Sequence, residues 1–489
     1  DRTFTIPDQT GTAMLWQQAW PDDPAGNNIA IGDGALAAIT SSDYHNTAVG
    51  QGALNAATSS YNTAFGRESA KRVTTGTYNT TMGHRSGGAD TTSSTGMDYV
   101  VAIGGNAGAS TYGDKNIIIG YTAAQYAGSA YNSVAIGYYA GYEMGSFSTV
   151  IGYQSGYNSS MNSGAQGTTA LGYASAKNIT SGDWNTCIGP YADVGTYSGA
   201  ANRNTVIGVS TVSGYDYNVS INTSSSLGNV SASQHNVNIG FNSGAASETD
   251  NSVFIGQYAG RKVNANQSVM LGYQCGGSST TMTGYNNIAA GYRGLYNTSS
   301  GTSNSAWGAQ SGYRTSTGSY NTYLGAYAGG TSSTSGHATG NNCVLMGYNS
   351  VPSSSSASNE ITLGDGNITT LRCNVTTISS LSDERDKTDI EDLPYGLDFI
   401  NDMRPVQFTW DRRDGSMNNV PDFGFIAQDL HDVELEHSST NRTRLVKWEN
   451  PDKLEADYVR SYPILVKAVQ ELSAKCDALE ARLAALEGV

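Results

Sequence analysis

The sequence predicts a mainly β protein: a long repetitive β-solenoid or β-roll body, then a small α+β region that ends in a coiled-coil helix. Three observations predict it. A short phrase, roughly Asn-(Ser/Thr)-x-x-(Ile/Val/Leu)-Gly, recurs from Asn28 to Gly364. Charge then changes abruptly: 36 of the 108 residues in 382–489 are Asp, Glu, Lys or Arg, against 31 of the 381 residues before them. Beyond residue 460, apolar side chains return at three- and four-residue intervals, the spacing of a helix seam.

Residues 1–26 contain TFTIPDQTGTAMLWQQAW and read as a short β-rich lead-in or cap, or as the end of a longer upstream shaft. Residue 1 is Asp, which suits a fragment or a processed form. No signal-peptide pattern opens the chain, and no run of 18 apolar residues predicts a membrane span.

Residues 27–365 form the repeat body. Clear copies are NTAVG (46–50), NSVAIG (132–137), NTVIG (204–208), NSVFIG (251–256) and NTYLG (321–325). The motif glycines are mostly 15 to 19 residues apart. The wide gap between Gly208 and Gly240 holds NVSIN (218–222), a copy whose glycine has become Asn222, which brings the count to about twenty. A period this short suits one coil of a solenoid rather than a helix pair or a propeller blade. In each copy three or four β-compatible residues such as Ser133-Val134-Ala135-Ile136 alternate, so one face turns inward. Gly then allows a sharp turn with positive φ. The opening Asn is placed to bond neighbouring backbone and to stack between coils. One coil buries almost nothing, whereas stacked coils bury a continuous apolar column. The thin core and long open edges predict association of several rolls, with a trimer expected.

Tyrosine is unusually frequent, with 28 of 31 copies before residue 382. Several follow the motif glycine (Tyr121, Tyr138, Tyr153, Tyr173, Tyr273, Tyr292, Tyr348), a regularity that predicts a structural ladder. Irregular insertions at 84–98, 157–167, 209–235 and 329–341 are the better binding candidates, because function on a solenoid usually sits in its longer loops. The body's few acids, including Asp183, Asp193, Asp216, Glu248 and Asp250, read as solvated loop residues that form no convincing hydrolase pair. Cys187, Cys275, Cys343, Cys373 and Cys476 lack metal-ligand or CxxC spacing and read mostly as small buried hydrophobes. No cofactor or metal is expected. The net charge of −15 disfavours nucleic acid or an anionic membrane as partner.

A linker, 366–381, leads to SDERDKTDI (382–390), which sets Ser382 and Lys387 five residues apart. A serine hydroxyl is a weak nucleophile until a base takes its proton. Lysine does this only when neutral, a form that desolvation or a nearby cation favours, and Arg385 is a candidate cation. The plain alternative is a helix N-cap at Ser382 or Asp383 with Lys387 solvated. Next come a strand and turn in DMRPVQFTWDRRDG, and a strand leading into a helix at Gly424-Phe425-Ile426-Ala427-Gln428. The seam Tyr462, Leu465, Val469, Leu472, Cys476, Leu479, Leu483 and Leu486 predicts a coiled coil over about 462–487, against a helix packed on its own domain.

The repeat phrase resembles the β-roll repeats of trimeric autotransporter adhesin heads and similar repeats in phage fibres. Residues 382–489, through SDERDK, GLDFINDMRPVQFTW (396–410) and GFIAQDL (424–430), resemble the endosialidase-type intramolecular chaperone, an S74 self-cleaving peptidase. That resemblance implies a homotrimeric chaperone domain that helps fold the upstream fibre and then cuts between Leu381 and Ser382. It implies Ser382 and Lys387 as the catalytic pair and Asp383 and Arg385 as supporting motif residues. Asp386 stands where the family often has Leu, and an acid there favours the charged form of Lys387 and slows the cut. The expected function is a phage tail fibre: a virion protein assembled in the host cytoplasm, seated among other tail proteins, and binding a host glycan or protein receptor. The rival readings are a polysaccharide-degrading tailspike with the same chaperone, and a trimeric bacterial adhesin.

Overall fold

The computed structural model describes residues 27–488 apart from residues 41, 89–95, 158–164, 180, 195–200, 212–215, 222–233, 245–248, 278–280, 332–335, 375–381, 414–417, 438–442 and 449–453. The lead-in at 1–26, Asn222, Glu248 and Leu381 therefore lie outside the described residues, as do large parts of the four insertions.

Twenty three-residue strands, β1 (Ile29–Ile31) through β20 (Ile361–Leu363), stack in sequence order as one parallel sheet. Every copy pairs with the next at the same motif position, for example Val134↔Thr149, Ala135↔Val150 and Ile136↔Ile151. The degenerate copy NVSIN supplies β12 (Val219–Ile221), paired in register with its neighbours on both sides. Because side chains alternate along a strand, only the middle residue points inward. Ala135, Val150, Ala170, Phe254, Met270 and Leu345 are all fully buried there.

The corner after each strand explains the glycine. Gly172 has φ +139°, and a Cβ on it would lie 2.7 Å from the carbonyl oxygen of Gly189 in the next coil. Both the backbone conformation and the close approach of coils exclude a side chain. The corner before many of the strands carries an asparagine ladder, with Ser133, Ser148, Thr168, Ser252 and Ser268 standing at the same position in other copies. Asn287 Oδ1 accepts the backbone N–H of Asn304 at 3.0 Å and its Nδ2–H at 3.1 Å, and Asn304 Oδ1 does the same for Asn321. The Nδ2 groups also donate to carbonyls, Asn304 to Gly318 at 2.8 Å and Asn321 to Gly340 at 2.9 Å. These amides are buried and satisfied, so they fix register without an unpaired polar group.

The tyrosines also stack. Tyr121, Tyr138, Tyr153 and Tyr173 form one column with centroid spacings of 5.6, 5.2 and 5.2 Å and interplanar angles of 18°, 5° and 4°. Tyr61, Tyr78 and Tyr99 form another at 4.8 and 5.1 Å. The second column sits at left-handed backbone, with φ of 64°, 59° and 59°. Such a conformation costs about 1–2 kcal/mol for an L-residue, and ring pairing of about 0.5–1.5 kcal/mol offsets part of it. The rings cover one another's faces and present their edges to solvent, as a structural ladder requires.

The apolar column is interrupted at Thr81, the inward residue of β4 (Thr80–Met82), whose hydroxyl is satisfied by Ser69 Oγ at 2.7 Å, and again at two consecutive strands farther along. In β12 and β13 (Val237–Ile239) the inward residues are Ser220 and Asn238, between Val206 on one side and Phe254 on the other. Ser220 Oγ and Asn238 Oδ1 are buried and have no hydrogen-bond partner among the described residues. Unpaired buried polar groups each cost about 1–3 kcal/mol. Ser220→Ala with Asn238→Leu is therefore expected to raise the stability of the body by about 1–3 kcal/mol. Calorimetry would register this as a higher unfolding temperature, and a lower one would contradict the account.

Two expectations need correction. Cys187, Cys275 and Cys343 are buried in the body, but Cys373 and Cys476 are exposed, because neither occupies an inward repeat position. The acids are not simply solvated. Asp183, Asp216 and Asp250 share one corner position, each accepting a backbone N–H from the preceding coil at 2.9, 2.6 and 2.8 Å. Asp193 is buried and accepts the Val194 N–H and both N–H donors of Asn178.

After the body come α1 (Leu397–Asp402), an antiparallel ribbon of β21 (Pro405–Asp411) and β22 (Asn418–Phe425), α2 (Ala427–His437), a short pair β23 (Val446–Lys447) and β24 (Glu455–Ala456), and α3 (Ser461–Leu486). Phe399, Leu430, Val433, Leu445, Val446 and Ile464 form their small core. Glu471 of α3 accepts the Leu397 N–H at 2.7 Å, capping α1. Any side chain at Gly396 would meet that carboxylate.

Candidate functional site

The site stands where the described chain resumes after the body. Asp383 is the N-cap of a single 3-10 turn, Glu384–Asp386, its Oδ1 accepting the Arg385 N–H at 2.9 Å. The turn is too short to start an α-helix, but it reverses the chain enough to bring Lys387 back over Ser382. Lys387 Nζ lies 2.7 Å from Ser382 Oγ and 3.3 Å from the Ser382 carbonyl oxygen. This is the hydrogen-bond reach that a base needs toward a nucleophilic hydroxyl.

Arg385 does not serve as a loose cation. Its Nη2 and Nε hold Asp383 at 2.6 and 3.0 Å in a bidentate pair. The guanidinium keeps the Asp383 carboxyl below its ordinary range, and the carboxylate raises Arg385 in turn. The pair braces the turn rather than acting on the amine. Ser382 and Lys387 are both exposed, so nothing among the described residues removes water from them.

Two apolar stripes lie open as well. On α3, Ile464 and Ala468 face the domain's own core. Tyr462, Leu465, Val469, Leu472, Leu479, Leu483 and Leu486 are 46–82% exposed, and Cys476 is exposed with them. The seam read from the sequence is therefore the face that the domain leaves uncovered. Along the body, the outward third position of the strands carries Phe65, Met82, Ile151, Ile255, Trp307 and Leu324, all more than a third exposed. Among the described residues no helix is long and apolar enough to cross a membrane, and no group of three metal-ligating side chains converges.

Residues 382–438 match the Peptidase S74 family, the chaperone of endosialidase. No curated protein matches the chain. The family is one of intramolecular chaperone autoproteases. The chain thus joins a chaperone-of-endosialidase domain near its C-terminus to a long β-solenoid body, an organisation consistent with a tailspike- or fibre-type protein.

Proposed function

We propose that the chain is a homotrimeric phage tail fibre whose C-terminal region drives assembly and then cuts the Leu381–Ser382 bond with Ser382 and Lys387. The observation that carries this reading is the 2.7 Å contact between Lys387 Nζ and Ser382 Oγ. In the reaction, Ser382 Oγ attacks the Leu381 carbonyl carbon while its proton passes to neutral Lys387. The C–N bond breaks, the proton goes to the departing Ser382 amine, and an ester joins Leu381 to Oγ. Water then opens the ester, leaving a Leu381 carboxylate and an amine at Ser382. Attack by a Lys387-activated water on the same carbonyl reaches the same products.

The exposure of the pair fits a cut that waits for assembly. A neutral lysine is favoured by desolvation, and three copies meeting along the α3 seam and the outward strand face would supply cover that one chain lacks. Trimerisation also suits the folding problem, since parallel stacking of distant segments is slow and needs a register-setting nucleus. The body is read as the part that meets the host-cell receptor. A glycan-cleaving tailspike is less favoured, because Asp183, Asp216 and Asp250 already serve as backbone acceptors.

N-terminal sequencing and intact mass of the purified protein test the proposal. The expected result is a tail fragment that begins at Ser382 beside a body that ends at Leu381. A single uncut chain from a correctly assembled trimer, or a cut elsewhere, would overturn it.

A further inference from the structure

The regular tyrosine column ends at Tyr173, and the reason is one residue. Pro190 follows the motif glycine Gly189, so the next tyrosine, Tyr191, stands one place later than its predecessors. It meets Tyr173 edge-on, at 67° and 5.2 Å, instead of stacking. In its own column the equivalent residues of the adjoining coils are Ala174 and Ser210, which carry no ring to cover its faces. Tyr191 is 51% exposed. A cavity of about 350 Å³ opens there, lined by Ala174, Lys177, Asn178, Tyr191, Asp193 and Ser210.

Its polar groups are held in place. Buried Asp193 accepts the Asn178 N–H at 3.2 Å and its Nδ2–H at 2.7 Å, which turns the amide oxygen of Asn178 away from the carboxylate. Lys177 Nζ is 3.5 Å from Gln154 Oε1 and 5.9 Å above the Tyr157 ring, so the ammonium is placed by the preceding coil. One uncovered aromatic face, an ammonium donor, an amide acceptor and the Ser210 hydroxyl thus converge on a rigid shaft. A ring face beside fixed donors and acceptors is the chemistry that recognises a pyranose: its C–H face lies on the aromatic ring and its hydroxyls bond the rim. Lys177 and Asp193 balance in charge, which suits a neutral sugar. The coils also run on past both ends of the cavity, so a longer chain has room to lie along the shaft.

We infer that this cavity is a saccharide subsite that takes a neutral hexose unit of a cell-surface polysaccharide, with Tyr191, Lys177, Asn178 and Ser210 as contact residues and Asp193 as the positioning residue. The inference rests on the host-attachment reading and gives it a place on the fibre. The test measures full-length trimer on biosensor surfaces bearing smooth lipopolysaccharide, rough lipopolysaccharide without O-chains, capsular polysaccharide, galactan and mannan. Retention on at least one long-chain surface is expected. Tyr191→Ala and Lys177→Met each weaken it by about tenfold or more, the scale of one lost ring or charged contact. Tyr153→Ala, from the covered column, changes it less than about twofold, because its face is unavailable. Wild-type binding that survives both cavity variants would overturn the inference while leaving host attachment intact. Failure of wild type on every surface would overturn it too, and host attachment falls with it only if the trimer also fails to decorate intact host cells.

Discussion

Ser382→Ala protein runs as a single full-length band on a denaturing gel, whereas the wild-type chain separates into a body of 1–381 and a tail of 382–489. On the ester route the effect is close to all-or-none, since the substitution removes the oxygen that attacks; a Ser382→Ala chain that is still cut, beside an uncut Lys387→Arg chain, would assign the attack to water instead. Lys387→Arg gives the same band. It keeps the positive charge and reach, yet a guanidinium is effectively never deprotonated and so has no lone pair to offer. A further measurement separates chemistry from folding. Both variants remain trimers by light scattering, because neither side chain lies in the small core or on either apolar stripe. Two fragments from both variants would end the assignment of this pair. A collapsed, aggregated Ser382→Ala protein would show instead that the residue is structural.

Leu472→Asp with Leu479→Asp is expected to abolish the trimer. Both side chains are at least half exposed in one chain, so the domain's own core around Phe399 and Ile464 does not depend on them. In an assembled seam each leucine would contribute about 1.5–3 kcal/mol on burial, and a carboxylate there adds the cost of burying charge. Sedimentation would show monomer at micromolar concentration, and the body, lacking its nucleus, would pass to the insoluble fraction. Cleavage would fall by at least about a hundredfold if the dyad works only when covered. A soluble, folded and fully cut monomer would contradict the proposal at every step.

Much of the body is legible from sequence because its physics is local and repeated. Ser133-Val134-Ala135-Ile136-Gly137 contains its own instructions: alternation for the strand, glycine for the turn, and a polar residue before it for the corner. The NVSIN copy is legible for the same reason, since losing the glycine leaves the alternation of Val219, Ser220 and Ile221 intact. The asparagine ladder follows from the position of Asn before the strand. The ends of the tyrosine columns are harder to see, because whether a ring is covered depends on residues a full coil away, such as Ala174 and Ser210. A single Pro190 is enough to shift Tyr191 out of the stack. Asp193 is misread for a similar reason: nothing near it in sequence shows that Asn178, in the coil before, will enclose it. The spacing of Ser382 and Lys387 gives the pair, but not the turn that folds one onto the other. Nor does it show that Arg385 is committed to Asp383.

The in-register stack has a further consequence for how such a chain changes over generations. Each strand pairs only with the strand of the coil on either side, through backbone groups that recur at the same positions. Duplicating or deleting one whole unit therefore recreates the same junctions and leaves no mismatch to repair. The twenty strands span about 90 Å at about 4.8 Å per step, so the genetic count of units works as a yardstick. The length of the body can be increased or trimmed by recombination in increments of about 5 Å, without redesign of either end.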